Sequence, residues 1–164
     1  MIVLGVDAGS LSTGYGVVES TGGRHRALEY GAIRNVPETG HPERLSRIHA
    51  KLLDVIDRFH PQVLALEEAF VARNAQSALK LGQVRGAVMV AAVGRGLDVM
   101  EFTPAEIKVA VTGHGRAEKV QVQRMVKVLL GLPGVPEPHD AADALAVALC
   151  ALGRSAWSEK VAKL

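Results

Sequence analysis

The chain has 164 residues, enough for one ordinary domain with a sizeable core, and its 48% hydrophobic content is globular rather than disordered. A formal net charge of +2 and a pI of about 8.9 give only a slight bias toward anionic partners. The single cysteine, Cys150, excludes an internal disulfide and a zinc–thiolate centre; the N-terminal residues do not read as a secretory leader, and the longest near-apolar run, residues 86–94, is far short of a membrane span, so a cytoplasmic protein with no membrane contact is expected.

Residues 2–8 form an apolar run that fits a buried strand, and Asp7-Ala8-Gly9-Ser10 marks the turn after it. Residues 15–19 and 27–34 read as two more strands of an antiparallel meander. Over residues 43–59, Leu45, Ile48, Leu52, Val55, Ile56 and Phe59 recur at helical spacing until His60-Pro61 stops the helix. A short buried strand over 63–66 runs into Glu67-Glu68, a long helix spans 74–93, and a strand covers 97–102. Helices follow at 104–111, 117–130 and 140–152, the first with Pro104 well placed in its first turn. Past residue 152 no pattern is visible, so residues 1–152 read as one domain and 153–164 as a tail. Three antiparallel strands followed by alternating helix and strand predict a mixed five-stranded α/β sheet with helices on both faces. In such sheets, sites gather at the carboxyl ends of strands.

Four acids stand at those ends. Asp7 closes the first strand, Glu67 closes the fourth, and Asp140 and Asp143 open the last helix, whose continuation is almost wholly apolar. Taken singly, each has an ordinary role: Asp7 in an Asx-type turn, Glu67 as an exposed strand end, Asp140 as an N-cap, Asp143 as a complement to the helix dipole. Together they point elsewhere. The first and fourth strands are expected to be central neighbours, and Asp140 and Asp143, three apart, share one helical face. Carboxylates about 4 Å apart repel by roughly 4 kcal/mol per pair at an effective dielectric near 20. Three such pairs rival the whole stability of a domain, so the cluster must bind protons or cations. Oxygen ligands favour a hard ion, Mg²⁺ or Mn²⁺, and two such ions about 4 Å apart suit in-line phosphoryl transfer.

Charge is unevenly spread. Residues 71–97 contain no acid but include Arg73, Lys80, Arg85 and Arg95, and in residues 104–127 the bases Lys108, Arg116, Lys119, Arg124 and Lys127 outnumber Glu106 and Glu118. Either segment alone reads as a solvated face; two of them on one domain favour a phosphate-binding surface.

The segments GVDAGSLSTGYGVV, LALEEAFVARNAQSALKLGQVRGAV, GHGRAEKVQVQRMVKVLLGL and HDAADALAVAL closely resemble the RuvC family of Holliday-junction resolvases, over residues 1 to about 152. The resemblance implies an RNase H-like fold and a homodimer that cuts two opposing strands of a four-way DNA junction symmetrically, leaving nicks that ligase can seal. It also implies the RuvA–RuvB branch-migration complex as a partner. The family's catalytic acids fall on Asp7, Glu67, Asp140 and Asp143, holding two Mg²⁺ per site with Mn²⁺ as a substitute. Its lysines near the scissile phosphate fall on Lys108 and Lys119, and its crossover aromatic on Phe70. Arg73, Asn74, Lys80 and Arg116, with the two lysines, are the further DNA contacts expected. The proline usual after the first acid is Ala8 here, which removes no ligand. Gly82 and Gly86, four apart in the long helix, permit close packing, either on the sheet or across a dimer interface.

Three other classes fit parts of the pattern. An actin- or sugar-kinase-like ATPase shares the first hairpin but needs two such domains. A junction-binding module without catalysis needs no four convergent acids. Another RNase H-like nuclease, acting on RNA or hybrids, does not account for residues 70–87.

Overall fold

The computed structural model describes residues 1–68 and 74–161, with side chains as far as residue 155. Alternation along the strands decides which residues meet which helices. In β1 (Ile2–Asp7), Leu4 and Val6 join one apolar cluster and Val3 joins another. In β4 (Val63–Glu67), Leu64 and Leu66 join the first, Val63 and Ala65 the second. Side chains two apart share a face of a sheet, so Asp7 and Glu67 both fall on the face of Val3 and Ala65.

β2 (Ser12–Thr21) pairs antiparallel with β1, and β3 (Arg24–Arg34) antiparallel with β2. β4 pairs parallel with β1, and β5 (Asp98–Phe102) parallel with β4, giving the order β3-β2-β1-β4-β5. The mixed five-stranded sheet and its central β1–β4 pair are as expected. β2 starts earlier than its apolar run, because Ser12, Thr13 and Gly14 pair through backbone groups that need no hydrophobic signal.

Helices α1 (His41–Phe59) and α2 (Ala75–Val93) cover one face, burying Ile48, Leu52, Val55, Val84, Val88 and Ala92 against Leu4, Val6, Leu64 and Leu66. His60 caps α1 in the left-handed conformation, and Pro61 follows, the stop that the sequence announces. On the other face lie α3 (Pro104–Thr112), α4 (Lys119–Leu129) and α5 (His139–Val161). A capping box of Thr103 and Glu106 starts α3.

α5 runs on past residue 152, so the tail expected from residue 153 is helix as far as Val161. Ser155 Oγ donates to the Ala151 carbonyl at 3.0 Å, while the Arg154 guanidinium lies 4.1 Å from the Phe102 ring centroid and pairs with Glu106 at 2.7 Å. The apolar period ends there, but the helix does not.

Two glycines set how closely α5 lies on the sheet. A Cβ on Gly5 would stand 2.0 Å from the Ala144 carbonyl oxygen, and one on Gly14 would stand 1.9 Å from that of Asp140. Helix backbone thus rests directly on strand backbone, and α5 supplies Ala141, Ala144 and Ala148, small enough to allow it. Gly5→Ala should therefore lower unfolding free energy by about 1–3 kcal/mol or more. Gly153→Ala, exposed in α5 with nothing within 4 Å of the added carbon, should raise it by about 0.5–1 kcal/mol. Urea unfolding of both variants checks the contrast; equal effects would contradict this contact.

Candidate active site

Asp7 ends β1 directly across from Gly14 of β2, and Gly14 is where the backbone of Asp140 touches down. The first turn of α5 is thereby set over the end of β1. Oxygens of Asp7, Asp140 and Asp143 lie within 4.8 Å of one another. Glu67 stands beside this trio rather than in it. It lines a 260 Å³ crevice with Asp143, Lys108 and Lys119, and a second cavity of 240 Å³ with Asp7, Ala8 and Arg85.

The charges are held at a cost. Burial, then the carboxylates of Asp143, Glu67 and Asp140, push Asp7 from 3.8 up to about 7, against the opposing pull of Lys119. Burial and Asp143 likewise raise Glu67, while Lys119, Lys108 and Arg85 act to lower it. Lys119 Nζ donates to Asp143 at 2.5 Å, and this bond holds the ammonium above its ordinary value. Lys119 is the first residue of α4, where the helix dipole disfavours a cation; its partner carboxylate offsets that. A trio of clustered oxygens, one still protonated near neutrality, matches the donor set that a hard divalent cation would use.

The sequence-predicted residues fare unequally. Asp7, Asp140 and Asp143 converge, with Glu67, Lys108 and Lys119 around the same crevice. Arg116 is exposed in a groove with His114, Gln121 and Arg124, and Lys80 is exposed on α2. Asn74 caps α2, its Oδ1 accepting from the Ser77 N–H at 2.8 Å. Phe70 and Arg73 lie outside the described residues. The acid-free segment is less of a free basic face than its composition suggests: Arg95 is paired with Asp57 at 2.7 Å, and Arg85 with Glu101. Ser12 was not singled out in the sequence, yet its hydroxyl donates to the Asp140 carboxylate. Its parity with Gly14 and Gly16 was the available signal, obscured because the apolar run of β2 begins later.

A mixed five-stranded sheet whose central strand ends in Asp7, with Asp140 and Asp143 brought over it by α5, has the arrangement of a nuclease of the RNase H-like class. The family described as crossover junction endodeoxyribonuclease RuvC matches residues 3–151, and the chain belongs to it. It is 53% identical over 150 residues to the crossover junction endodeoxyribonuclease RuvC of Citrifermentans bemidjiense, covering 92% of this chain and 91% of that one. The Thermus thermophilus RuvC structure superposes with a TM-score of 0.88 at 40% identity, covering 96% of this chain and 97% of that one. T. thermophilus RuvC in complex with a Holliday junction substrate gives 0.88 at 37% identity, with 96% of each chain covered.

The raised Asp7 carboxyl has a signed consequence for the metal-free protein. Below pH 4 both folded and unfolded chains hold the proton. As pH rises from about 4 through 7, the unfolded chain releases it first, and stability falls. Asp7→Asn removes this penalty, so at pH 8 it should be more stable than the parent by on the order of 4 kcal/mol, roughly three pKa units at about 1.4 kcal/mol each. At pH 3 the two should match. Thermal melts in a chelating buffer at both pH values check this; a destabilised Asp7→Asn at pH 8 would contradict it.

Proposed function

We propose that this chain is a structure-selective endodeoxyribonuclease that resolves four-way DNA junctions by paired symmetric nicks. The observation that carries the reading is the convergence of Asp7, Asp140 and Asp143 beside Glu67 on a RuvC fold. The related T. thermophilus protein, whose structure is described in complex with a Holliday junction, supports the substrate. The four acids would hold two Mg²⁺ ions, with Mn²⁺ as a substitute. When bound, the metals would supply charge stabilisation to the attacking and leaving oxygens of phosphodiester hydrolysis. The chain's own groups do the rest. Burial keeps the carboxylates oriented and poorly hydrated, Ser12 fixes the Asp140 carboxylate, and Lys108 and Lys119 place two ammonium groups along one crevice where a phosphate can enter. Arg116 and Lys80 are exposed cations suited to phosphates of the junction arms.

With Mg²⁺, the purified chain should nick a synthetic four-way junction at symmetric positions and leave linear duplex and RNA–DNA hybrid essentially intact. Lys119→Ala and Lys108→Ala should each slow cleavage on the order of 100-fold with little change in junction affinity. Equal cleavage of all three substrates would remove the reading.

Paired cuts need two sites. Leu79, Val90 and Val93 stand 71%, 66% and 61% exposed on α2, and a Cβ on Gly82 or Gly86 would meet nothing within 4 Å. Residues 79, 82, 86, 90 and 93 follow one stripe of the helix, so these glycines face away from the sheet. A second copy related by a two-fold axis would cover that stripe with the same stripe. Assembly with the RuvA–RuvB complex and work in the cytoplasm fit such an enzyme, and no helix among the described residues is long and apolar enough to cross a membrane. Val90→Glu should leave the unfolding free energy of the protomer within about 0.5 kcal/mol of the parent while converting a dimer to a monomer in sedimentation. A parent that is itself monomeric at micromolar concentration would refute the dimer.

A further inference from the structure

Arg85 lies in the middle of α2, and only 11% of its side chain is exposed. Its guanidinium donates to two acceptors: the main-chain carbonyl of Glu67 and the carboxylate of Glu101. These acceptors sit on adjacent strands, since Leu66 pairs with Glu101 and Glu67 with Phe102 in the β4–β5 register. On the other side of β4, the register with β1 ends at Val6 and Leu66. Glu67 is therefore flanked within the sheet by β5 alone, with the next N–H, that of Glu68, donating to the Phe102 carbonyl at 2.8 Å. An arginine reaching from the helix above adds a further tie to this strand end.

We propose that Arg85 is a positioning residue for metal binding: it ties the carboxyl end of β4 to α2 and β5, and so fixes the backbone from which the Glu67 carboxylate reaches the site. The inference rests on the reading of Glu67 as a metal ligand. The planar fork of a guanidinium can satisfy two fixed acceptors at once, which a lysine ammonium does without that geometry. A role as a DNA phosphate anchor is opposed by the burial of Arg85 and by its pairing with Glu101. Arg85 also lines the cavity shared by Asp7 and Glu67, on the opposite side of Glu67 from Lys108 and Lys119. One wall of the site thus carries cations open to substrate, and the other carries a cation committed to holding the strand.

The test is calorimetric titration of Mg²⁺ into the full chain without DNA, for the parent, Arg85→Ala, Arg85→Lys, Glu101→Gln and Glu67→Gln. Loss of an outer residue that orients a ligand typically weakens metal binding about 10- to 100-fold. Arg85→Ala should fall in that range, Arg85→Lys should recover part of the loss, and Glu101→Gln should lose a smaller factor, about threefold or more. Junction affinity measured in chelator should stay within about twofold for Arg85→Ala. Unchanged Mg²⁺ binding in Arg85→Ala, with weakened binding in Glu67→Gln, would overturn the proposal and leave the site reading intact. Unchanged binding in both would overturn the proposal together with the assignment of Glu67. A loss of metal-free junction affinity with unchanged Mg²⁺ binding would make Arg85 a DNA contact instead. Should Arg85→Ala not fold, unchanged binding in both Arg85→Lys and Glu101→Gln overturns the proposal equally. A parent that binds Mg²⁺ but fails to nick junctions would remove the proposed function without touching this inference.

Discussion

The backbone of α5 lies directly on the backbones of β1 and β2, and this is possible only because Gly5 and Gly14 present no side chain to it. Helices normally keep a side-chain layer between themselves and a sheet; removing that layer at two points fixes both the height and the register of α5. Gly14 is the cross-strand partner of Asp7 and also the contact of Asp140. The same residue that lets the helix approach therefore decides that its first turn arrives over the end of β1. Asp143, one turn on, follows without further specification. Asp7, Asp140 and Asp143 thus meet, with Glu67 beside them on the same sheet face as Asp7, as a result of packing geometry rather than of mutual attraction.

Their mutual repulsion must be met by something else. In the metal-free protein it is met by a proton held on Asp7 near neutrality and by Lys119, which spends its ammonium on Asp143 at a helix end that disfavours it. Both devices are partial. A divalent cation bound by the trio would take over the role of both. Strain of this sort is tolerated because the surrounding core, buried on both faces of the sheet, over-determines the positions of β1, β4 and α5. The site thereby trades stability for chemistry, and the trade is visible in the raised carboxyls of Asp7 and Glu67.

Much of this was legible in the sequence. Strands β1 and β4 announce themselves as short apolar runs closed by acids, α1 by its six recurring apolar residues, and α5 by an alanine-rich run opened by two aspartates. The convergence of those acids could be inferred from central strand adjacency and helical spacing alone. What could not be read depends on side-chain direction. Ser12 lay in a segment whose glycines and hydroxyls carry no apolar period, so its place on β2, and hence its bond to Asp140, was hidden. Arg85 and Arg95 look like free cations in an acid-free stretch, but their partners, Glu101 and Asp57, come from other parts of the chain. The orientation of Gly82 and Gly86 was open because α2 is apolar on nearly all sides; only the empty space beyond them shows which way they point. The continuation of α5 past residue 152 was missed because the apolar period of the sequence ends there while the backbone stays helical.

Packing of α5 on β1 and β2 brings together Asp7, Asp140 and Asp143, with Glu67 beside them, as a group that could hold a hard cation. Anomalous diffraction from crystals equilibrated with Mn²⁺ at pH 8 tests it most directly. Anomalous density is expected within coordination distance of Asp7 and of at least one of Asp140 and Asp143, with Lys119 displaced from Asp143. Strong Mn²⁺ density elsewhere on the protein, with none at Asp7 and the Lys119–Asp143 pair intact, would contradict it.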